Sequence, residues 1–186
     1  IFGFGEALMI ASGVGVSPWT VLAQGIANII GLSVGLSTFV VSVIVLLVWV
    51  PLRQTPGIGT FLNIIIISVV LDLALPWLPK FESLTLRVAE AAFGVIVTGI
   101  GGGIYLIANL GPGPRDGLMT GLVQLTGFPV AGVRSAIEIS VVLLGWSLGG
   151  VVGVGTLMYA FGIGPCVAAS MYILFKAFED GPPEQS

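Results

Sequence analysis

The residues in this chain most able to do chemistry are a few polar side chains set among long apolar runs. Glu138 lies four residues after Arg134, so the two can pair on one face of a helix. An isolated charge at the centre of a membrane helix costs roughly 2.5 to 3.5 kcal/mol on insertion scales, so a charged pair is retained there for a reason. Two interpretations stand open. Glu138 is a proton or cation site facing an internal cavity, or it is the internal partner of Arg134, an anchor at the membrane edge.

Glu6 is a second polar group in apolar surroundings. Gly3 and Gly5 beside it are small residues that let two helices approach closely. A buried hydrogen bond to a neighbouring helix and a role as a ligand therefore explain Glu6 equally well. Asp72 lies near the end of a predicted helix, where an interfacial cap or a surface position is a better interpretation than a functional role.

Three further candidates lie at the beginnings of two short segments. Ser17 precedes Pro18, so its side chain is placed to cap the free N–H groups of a helix that begins at the proline. Asp116 lies in the first turn after Pro114, where the helix dipole favours a carboxylate. Arg115, together with free backbone N–H groups, could hold an anionic solute, or it could serve as a cytoplasmic-side anchor. The candidate solute contacts are therefore Glu138, Glu6, Arg115, Ser17 and Asp116.

The composition indicates that these residues belong to an integral membrane protein. Of 186 residues 56% are hydrophobic and 8% are charged, too few charges to cover a soluble fold. The chain has no histidine and a single cysteine, Cys166, which excludes an internal disulfide and histidine-based metal sites, triads and proton relays. We therefore expect no enzyme activity, no catalytic residue, no metal and no cofactor. The net charge of -3 and the lack of a basic run give no reason to expect a nucleic-acid partner.

An internal duplication organises the chain. Gly15, Pro18, Leu22 and Gly25 recur as Gly111, Pro114, Leu118 and Gly121, each 96 residues later (111 − 15 = 96). The same offset relates Gly57-Ile-Gly59-Thr60 to Gly153-Val-Gly155-Thr156. We assign residues 1–80 to a first membrane repeat, 81–178 to a second and 179–186 to a polar cytoplasmic tail.

Hydropathy predicts six transmembrane helices in these two repeats. Five apolar runs cover about 36–52, 57–78, 88–110, 133–149 and 153–178, and the repeat requires a sixth helix before Gly13. The chain begins in the middle of this sixth segment, so we expect that part of it is missing. Residues 18–29 and 114–125 would reach only about 18 Å as helices, which is too short to cross the bilayer. They are predicted to be half-helices, re-entrant or interfacial, and the apolar first one must be buried in protein or line a cavity.

Three full helices in each copy turn the second copy upside down relative to the first. The predicted fold is therefore an all-α integral membrane protein of two inverted three-helix repeats, each with a short half-helix. With both termini cytoplasmic, four basic residues fall inside and two outside, as the positive-inside rule favours: Arg53, Arg115, Arg134 and Lys176 against Lys80 and Arg87.

The glycines and tryptophans also fit a membrane protein. Glycines spaced four apart, such as Gly99 and Gly103, predict flat faces for tight helix packing, within the chain or against a second copy or another membrane protein. The four tryptophans fall near predicted helix ends and fit an interfacial aromatic belt; they are Trp19, Trp49, Trp77 and Trp146.

The motif Gly111-Pro-Gly-Pro114-Arg115-Asp116-Gly117, together with the apolar frame, resembles the YczE/YyaS/YitT-like group of small bacterial integral membrane proteins. The first copy departs from the motif, with Trp19-Thr20-Val21 where the second has Arg115-Asp116-Gly117. The resemblance implies a multi-pass fold in a bacterial plasma membrane. It implies no activity and no catalytic residue.

Two functions are consistent with these observations. The first is a transporter or channel for a small solute or ion, with its site between the repeats near the Gly/Pro breaks. The second is a non-transporting structural or assembly subunit of a larger membrane complex. A carrier should hold a polar cavity between the repeats, whereas a scaffold should be solid there.

Overall fold

The computed structural model describes residues 1–179, and within them the chain is helical, with no strand. The α-helices are α1 (Phe2–Ser12), α2 (Pro18–Ile30), α3 (Val34–Trp49), α4 (Ile58–Ala74), α5 (Leu84–Ala108), α6 (Pro114–Thr126), α7 (Val130–Ser147) and α8 (Val154–Glu179). A 3-10 turn, Leu75–Trp77, extends α4. The predicted polar tail, apart from Glu179 at the end of α8, lies outside the described residues.

Four of these helices are long and apolar enough to cross a membrane: α4 with its 3-10 turn, α5, α7 and α8. A fifth span is obtained if α2 and α3, which meet at a bend of 112°, count as one broken crossing. The apolar α1 has 11 residues as described here, fewer than a full span needs. The all-α membrane architecture is thus confirmed, while helix length alone supports four or five of the six predicted crossings.

Both short segments are half-helices that begin at a proline. The helices α2 and α6 each contain 13 residues, and each ends at a glycine with a left-handed backbone, Gly31 at φ 68° and Gly127 at φ 70°. The apolar α2 is buried along most of its length, as predicted, and Val21 is fully inaccessible. The more polar α6 is less covered by protein.

The two halves of the chain repeat each other element by element. The helix starts at Pro18 and Pro114 lie 96 residues apart, and so do those at Ile58 and Val154. The contacts repeat as well. The Gly59 amide donates to the Leu110 carbonyl at 2.8 Å, and the Gly155 amide, 96 residues on, donates to the Val14 carbonyl at 2.9 Å. The last helix of each half therefore begins against the glycine-rich turn of the other half.

Glycines allow the central helices to approach one another closely. A Cβ added at Gly5 of α1 would lie 2.7 Å from the carbonyl oxygen of Gly94 in α5. On another face of α5, Gly99 and Gly103 pack against Cys166 and Ser170 of α8. The predicted packing role of the Gly99 and Gly103 spacing is therefore fulfilled inside the chain.

The two halves differ most clearly in how their last two helices pack. The helices α3 and α4 pack together, whereas α7 and α8 stand apart. Asp72 of α4 connects the closed pair, because its carboxylate accepts from the Ser33 hydroxyl at 2.6 Å and from the Gly35 amide at 2.8 Å. This confirms the predicted capping role of Asp72, exerted on the start of the neighbouring helix. The position 96 residues after Asp72 is Ala168, which cannot make such a contact.

Candidate functional site

A cavity of about 410 Å³ lies where α7 and α8 stand apart, with walls from both halves of the chain. The second half supplies most of the lining, including every charged side chain in it. The charged lining residues are Arg115, Asp116, Arg134 and Glu138. Three of the five candidate contacts from the sequence, on α6 and α7, are thus brought to one site.

The starts of the two half-helices meet at this cavity. Pro18 and Trp19 of α2 and Pro114 and Arg115 of α6 all line it. The guanidinium carbon of Arg115 lies 5.6 Å from the centre of the Trp19 ring, within cation–π range. A helix start carries unpaired N–H groups and a partial positive charge, so two such ends face the same space.

Three hydrogen bonds, one buried and two partly buried, fix the turn before α6 and the start of that helix. The Trp49 indole N–H donates to the Pro114 carbonyl at 2.9 Å. Thr60 Oγ1 donates to the Pro112 carbonyl at 2.7 Å, and the Tyr105 hydroxyl donates to the Gly111 carbonyl at 2.5 Å. Irregular backbone within a membrane protein requires such partners, and these hold the Arg115 backbone in a fixed position.

The aromatic-belt prediction is wrong for two of the four tryptophans. Trp19 and Trp49 are buried, the first under Arg115 and the second against Gly117. Trp77 and Trp146 are 87% and 63% exposed, as a belt requires. Position near a helix end does not distinguish the two cases, because burial depends on which neighbouring helix covers that end.

The predicted pair on α7 is formed. Arg134 Nε and Glu138 Oε1 are 2.9 Å apart, and the two side chains are 51% and 27% exposed. Both line the cavity. Each charge therefore has its opposite within hydrogen-bonding distance at the cavity wall.

The neighbouring charges on α6 have different surroundings. The Asp116 carboxylate lies against the backbone of Gly113, at the start of its own helix, which fits the predicted dipole-favoured position. The Arg115 guanidinium has no hydrogen bond or salt bridge to any residue in the range 1–179. Its one marked contact is the face of Trp19.

Glu6 and Ser17 lie behind the start of α2 and do not line the cavity. Glu6 is 1% exposed, and its Oε2 accepts from Ser17 Oγ and from Thr20 Oγ1, both at 2.7 Å. The predicted hydrogen bond between Glu6 and a neighbouring helix is therefore present, with Glu6 as the acceptor. Its other oxygen, Oε1, has no partner among the described residues.

The predicted capping role of Ser17 is wrong, although Ser17 does occupy the N-cap position of α2. Its side chain makes no capping hydrogen bond. Instead, the Ser17 hydroxyl donates to the Glu6 carboxylate at 2.7 Å, a charge-assisted bond that turns the side chain toward α1. The hydroxyl therefore links α1 to the start of α2.

The sequence interpretation missed the buried Glu90, the capping contact of Arg87 and one aromatic contact. Glu90 of α5 is buried, and both of its carboxylate oxygens lack a partner in the described part of the chain. Arg87 donates to the Ser12 and Gly13 carbonyls at 2.6 and 2.7 Å and so caps α1. A carboxylate inside an apolar run was a visible signal for Glu90. No local signal indicated that Trp19 would meet Arg115.

Comparison with known proteins places this architecture among bacterial membrane proteins. A family model described as a family of unknown function, DUF6198, matches residues 1–172. An uncharacterized protein of Haemophilus influenzae is 44% identical over 95% of this chain and 81% of its own length. The uncharacterized membrane protein YczE of Bacillus subtilis is 33% identical over 86% of this chain and 75% of its own, and the uncharacterized protein YyaS of the same organism is 28% identical over 85% and 81%. No solved structure matches. The resemblance to the YczE and YyaS proteins is confirmed.

Proposed function

Because the chain belongs to the DUF6198 family, which carries no described activity, we propose from the geometry that this membrane protein moves a small solute or ion across the bilayer. The path is the cavity between α7 and α8. Arg115, Asp116 and Glu138 are the contacts that a solute meets there, and Glu6 with Ser17 supports the start of α2 from behind.

The observation that carries this proposal is the charged lining of the cavity. Four charged side chains face a space of about 410 Å³ in a chain of which only 8% is charged. Charges within a membrane protein are costly and typically mark solute or ion pathways. An assembly subunit has no need of a charged cavity between two of its helices, so the cavity favours the carrier over the scaffold.

The difference between the two halves suggests how access alternates. In inverted-repeat transporters, one repeat rocks against the other around a fixed site. We propose that the halves of this chain are related in that way, with six crossings in all. In the described state α3 and α4 are closed through Asp72 while α7 and α8 are apart. Exchanging these two arrangements would close the cavity on one side and open it on the other.

Uptake by proteoliposomes tests the proposed function. Vesicles holding the purified chain are incubated with a defined mixture of small organic acids, amines, sugars and inorganic ions, and their contents are measured by mass spectrometry. At least one solute is expected to enter more than about tenfold faster than into protein-free vesicles, because the protein replaces the desolvation barrier of the bilayer. Equal entry of every solute, with the chain co-purifying with a stable membrane partner, would favour the assembly subunit.

The orientation in the bilayer follows from the basic residues. We place the chain in the bacterial inner membrane with both termini in the cytoplasm, because the loop that contains Arg53 then lies inside. In a Cys166→Ala background, an impermeant thiol reagent is expected to label Ser83→Cys in intact cells and Thr55→Cys only after permeabilisation. Both positions are exposed loop residues. The opposite labelling pattern would reverse the orientation.

A further inference from the structure

Building on the proposed function, we propose that the solute is a small organic anion whose negative group binds Arg115 and whose apolar body lies against the apolar part of the cavity wall. The argument depends on which charges in the cavity are already compensated.

Of the four charged side chains, three have compensating contacts. Arg134 and Glu138 pair with each other at 2.9 Å. Asp116 lies against the start of its own helix, where backbone N–H groups and the helix dipole favour a carboxylate. Arg115 remains, with no carboxylate within 4.0 Å in the described part of the chain. Its guanidinium has five N–H donors and no capacity to lose its charge. The adjacent Asp116 offsets part of the Arg115 charge electrostatically, but within residues 1–179 no acceptor contacts the guanidinium N–H groups. These N–H groups are therefore free to bind an anionic group.

The position of Arg115 suits an oxyanion. Trp19 covers one face of the guanidinium, with 5.6 Å between the guanidinium carbon and the ring centre. Stacking occupies the face of the group and leaves its N–H edges free, and those edges match the two oxygens of a carboxylate, sulfonate or phosphate. The starts of α2 and α6 at the same wall add positive potential.

The rest of the wall indicates that the anion carries an apolar body. Ile137 of α7 and Ile163, Val167 and Met171 of α8 line the cavity. A volume of about 410 Å³ is in the usual range for sites that take small organic molecules. An inorganic anion would leave this apolar surface in contact with water, whereas an organic anion covers it.

Two sources could supply such a molecule. A water-soluble organic acid could enter from one aqueous side, or the headgroup of an anionic lipid could enter sideways between α7 and α8. The shared chemistry is one anionic group on an apolar body, and the experiment separates the two sources.

Calorimetry with matched probes tests the proposal on the full chain in an uncharged maltoside detergent. Benzenesulfonate and benzyltrimethylammonium carry the same ring and permanent charges of opposite sign. Benzenesulfonate is expected to bind at least about tenfold more tightly than the cation. Arg115→Gln is expected to weaken benzenesulfonate at least about tenfold, and Arg115→Lys, which keeps the charge and loses the planar fork, by less. Arg53→Gln, the same substitution at an exposed loop arginine, should leave binding unchanged.

Thermal unfolding of Arg115→Gln without probe provides the folding control, since the Arg115 side chain makes no hydrogen bond to residues 1–179. Equal binding of the two probes, or full benzenesulfonate binding by a folded Arg115→Gln, would overturn the proposal. If phosphatidylglycerol competes with benzenesulfonate for binding in mixed micelles while phosphatidylcholine does not, this result would support the anion site and identify an anionic lipid as the source of its ligand. Lack of competition by either lipid would support a water-soluble anion. If benzenesulfonate binds but no solute enters the vesicles, the proposed transport function is wrong and the anion site stands. If only cations enter the vesicles, transport stands and the proposal of an anionic solute is wrong.

Discussion

Alanine at Gly111 or Gly15 is expected to leave little folded protein. Gly111 lies in the turn before α6 and Gly15 in the turn before α2, with φ angles of 120° and 119°, and each turn packs against the opposite half of the chain. A Cβ at Gly111 would lie 2.8 Å from the Gly57 Cα, and a Cβ at Gly15 would lie 2.7 Å from the Gly153 amide nitrogen. Backbone atoms in such a contact cannot rotate away.

Two costs add at each of these positions. A side chain at this φ is strained by about 1 to 3 kcal/mol, and overpacking adds a further 1 to 3 kcal/mol, roughly. Their sum, about 2 to 6 kcal/mol, reaches the lower end of the free energy of unfolding of a typical domain, about 5 to 15 kcal/mol. Each turn is held to the opposite half by a backbone hydrogen bond, which the Leu110 carbonyl accepts in one turn and the Val14 carbonyl in the other. Loss of either is expected to disrupt the cavity as well.

Gly31→Ala and Gly127→Ala are the matched controls. These glycines also have positive φ, at 68° and 70°, but nothing lies within 4 Å of an added Cβ. They carry only the left-handed strain of about 1 to 2 kcal/mol. Fluorescence-detected size-exclusion chromatography and thermal unfolding in detergent compare the four variants. Equal yields and equal Tm values in both pairs would show that the turns do not interlock the halves.

The repeated pattern predicted the helix starts well because it depends on local chemistry. Proline is favoured at the first position of a helix, and the repeated Gly/Pro spacing marked Pro18 and Pro114, so these two helix starts could be predicted from the sequence. The pair of Arg134 and Glu138 is equally local, since residues four apart always share a helix face. The helix starts and the ion pair therefore depend only on nearby residues in the sequence, and not on how the helices pack.

Other features depend on which helices come together, and spacing does not determine that. Ser17 had two acceptable roles, and the choice depends on the Glu6 carboxylate of another helix. Trp49 occupies a helix end like Trp146, yet only Trp49 is covered, because α6 packs over the end of α3. The sequence aligns Asp72 with Ala168, but the gap that follows between α7 and α8 becomes apparent only from the packing.

Filling the mouth of the cavity tests the central claim most directly. Ala168 of α8 lines the cavity, and its neighbour Ala169 is exposed and does not. Phenylalanine at either position adds the same volume to the same helix, about 100° apart around its axis, so effects on insertion and folding should match. Ala168→Phe is expected to reduce solute entry into proteoliposomes at least about tenfold, because an added ring occupies the path between α7 and α8, while Ala169→Phe should transport like the unmodified chain. Equal rates for both variants, with both folded and reconstituted to the same level, would contradict the cavity as the route.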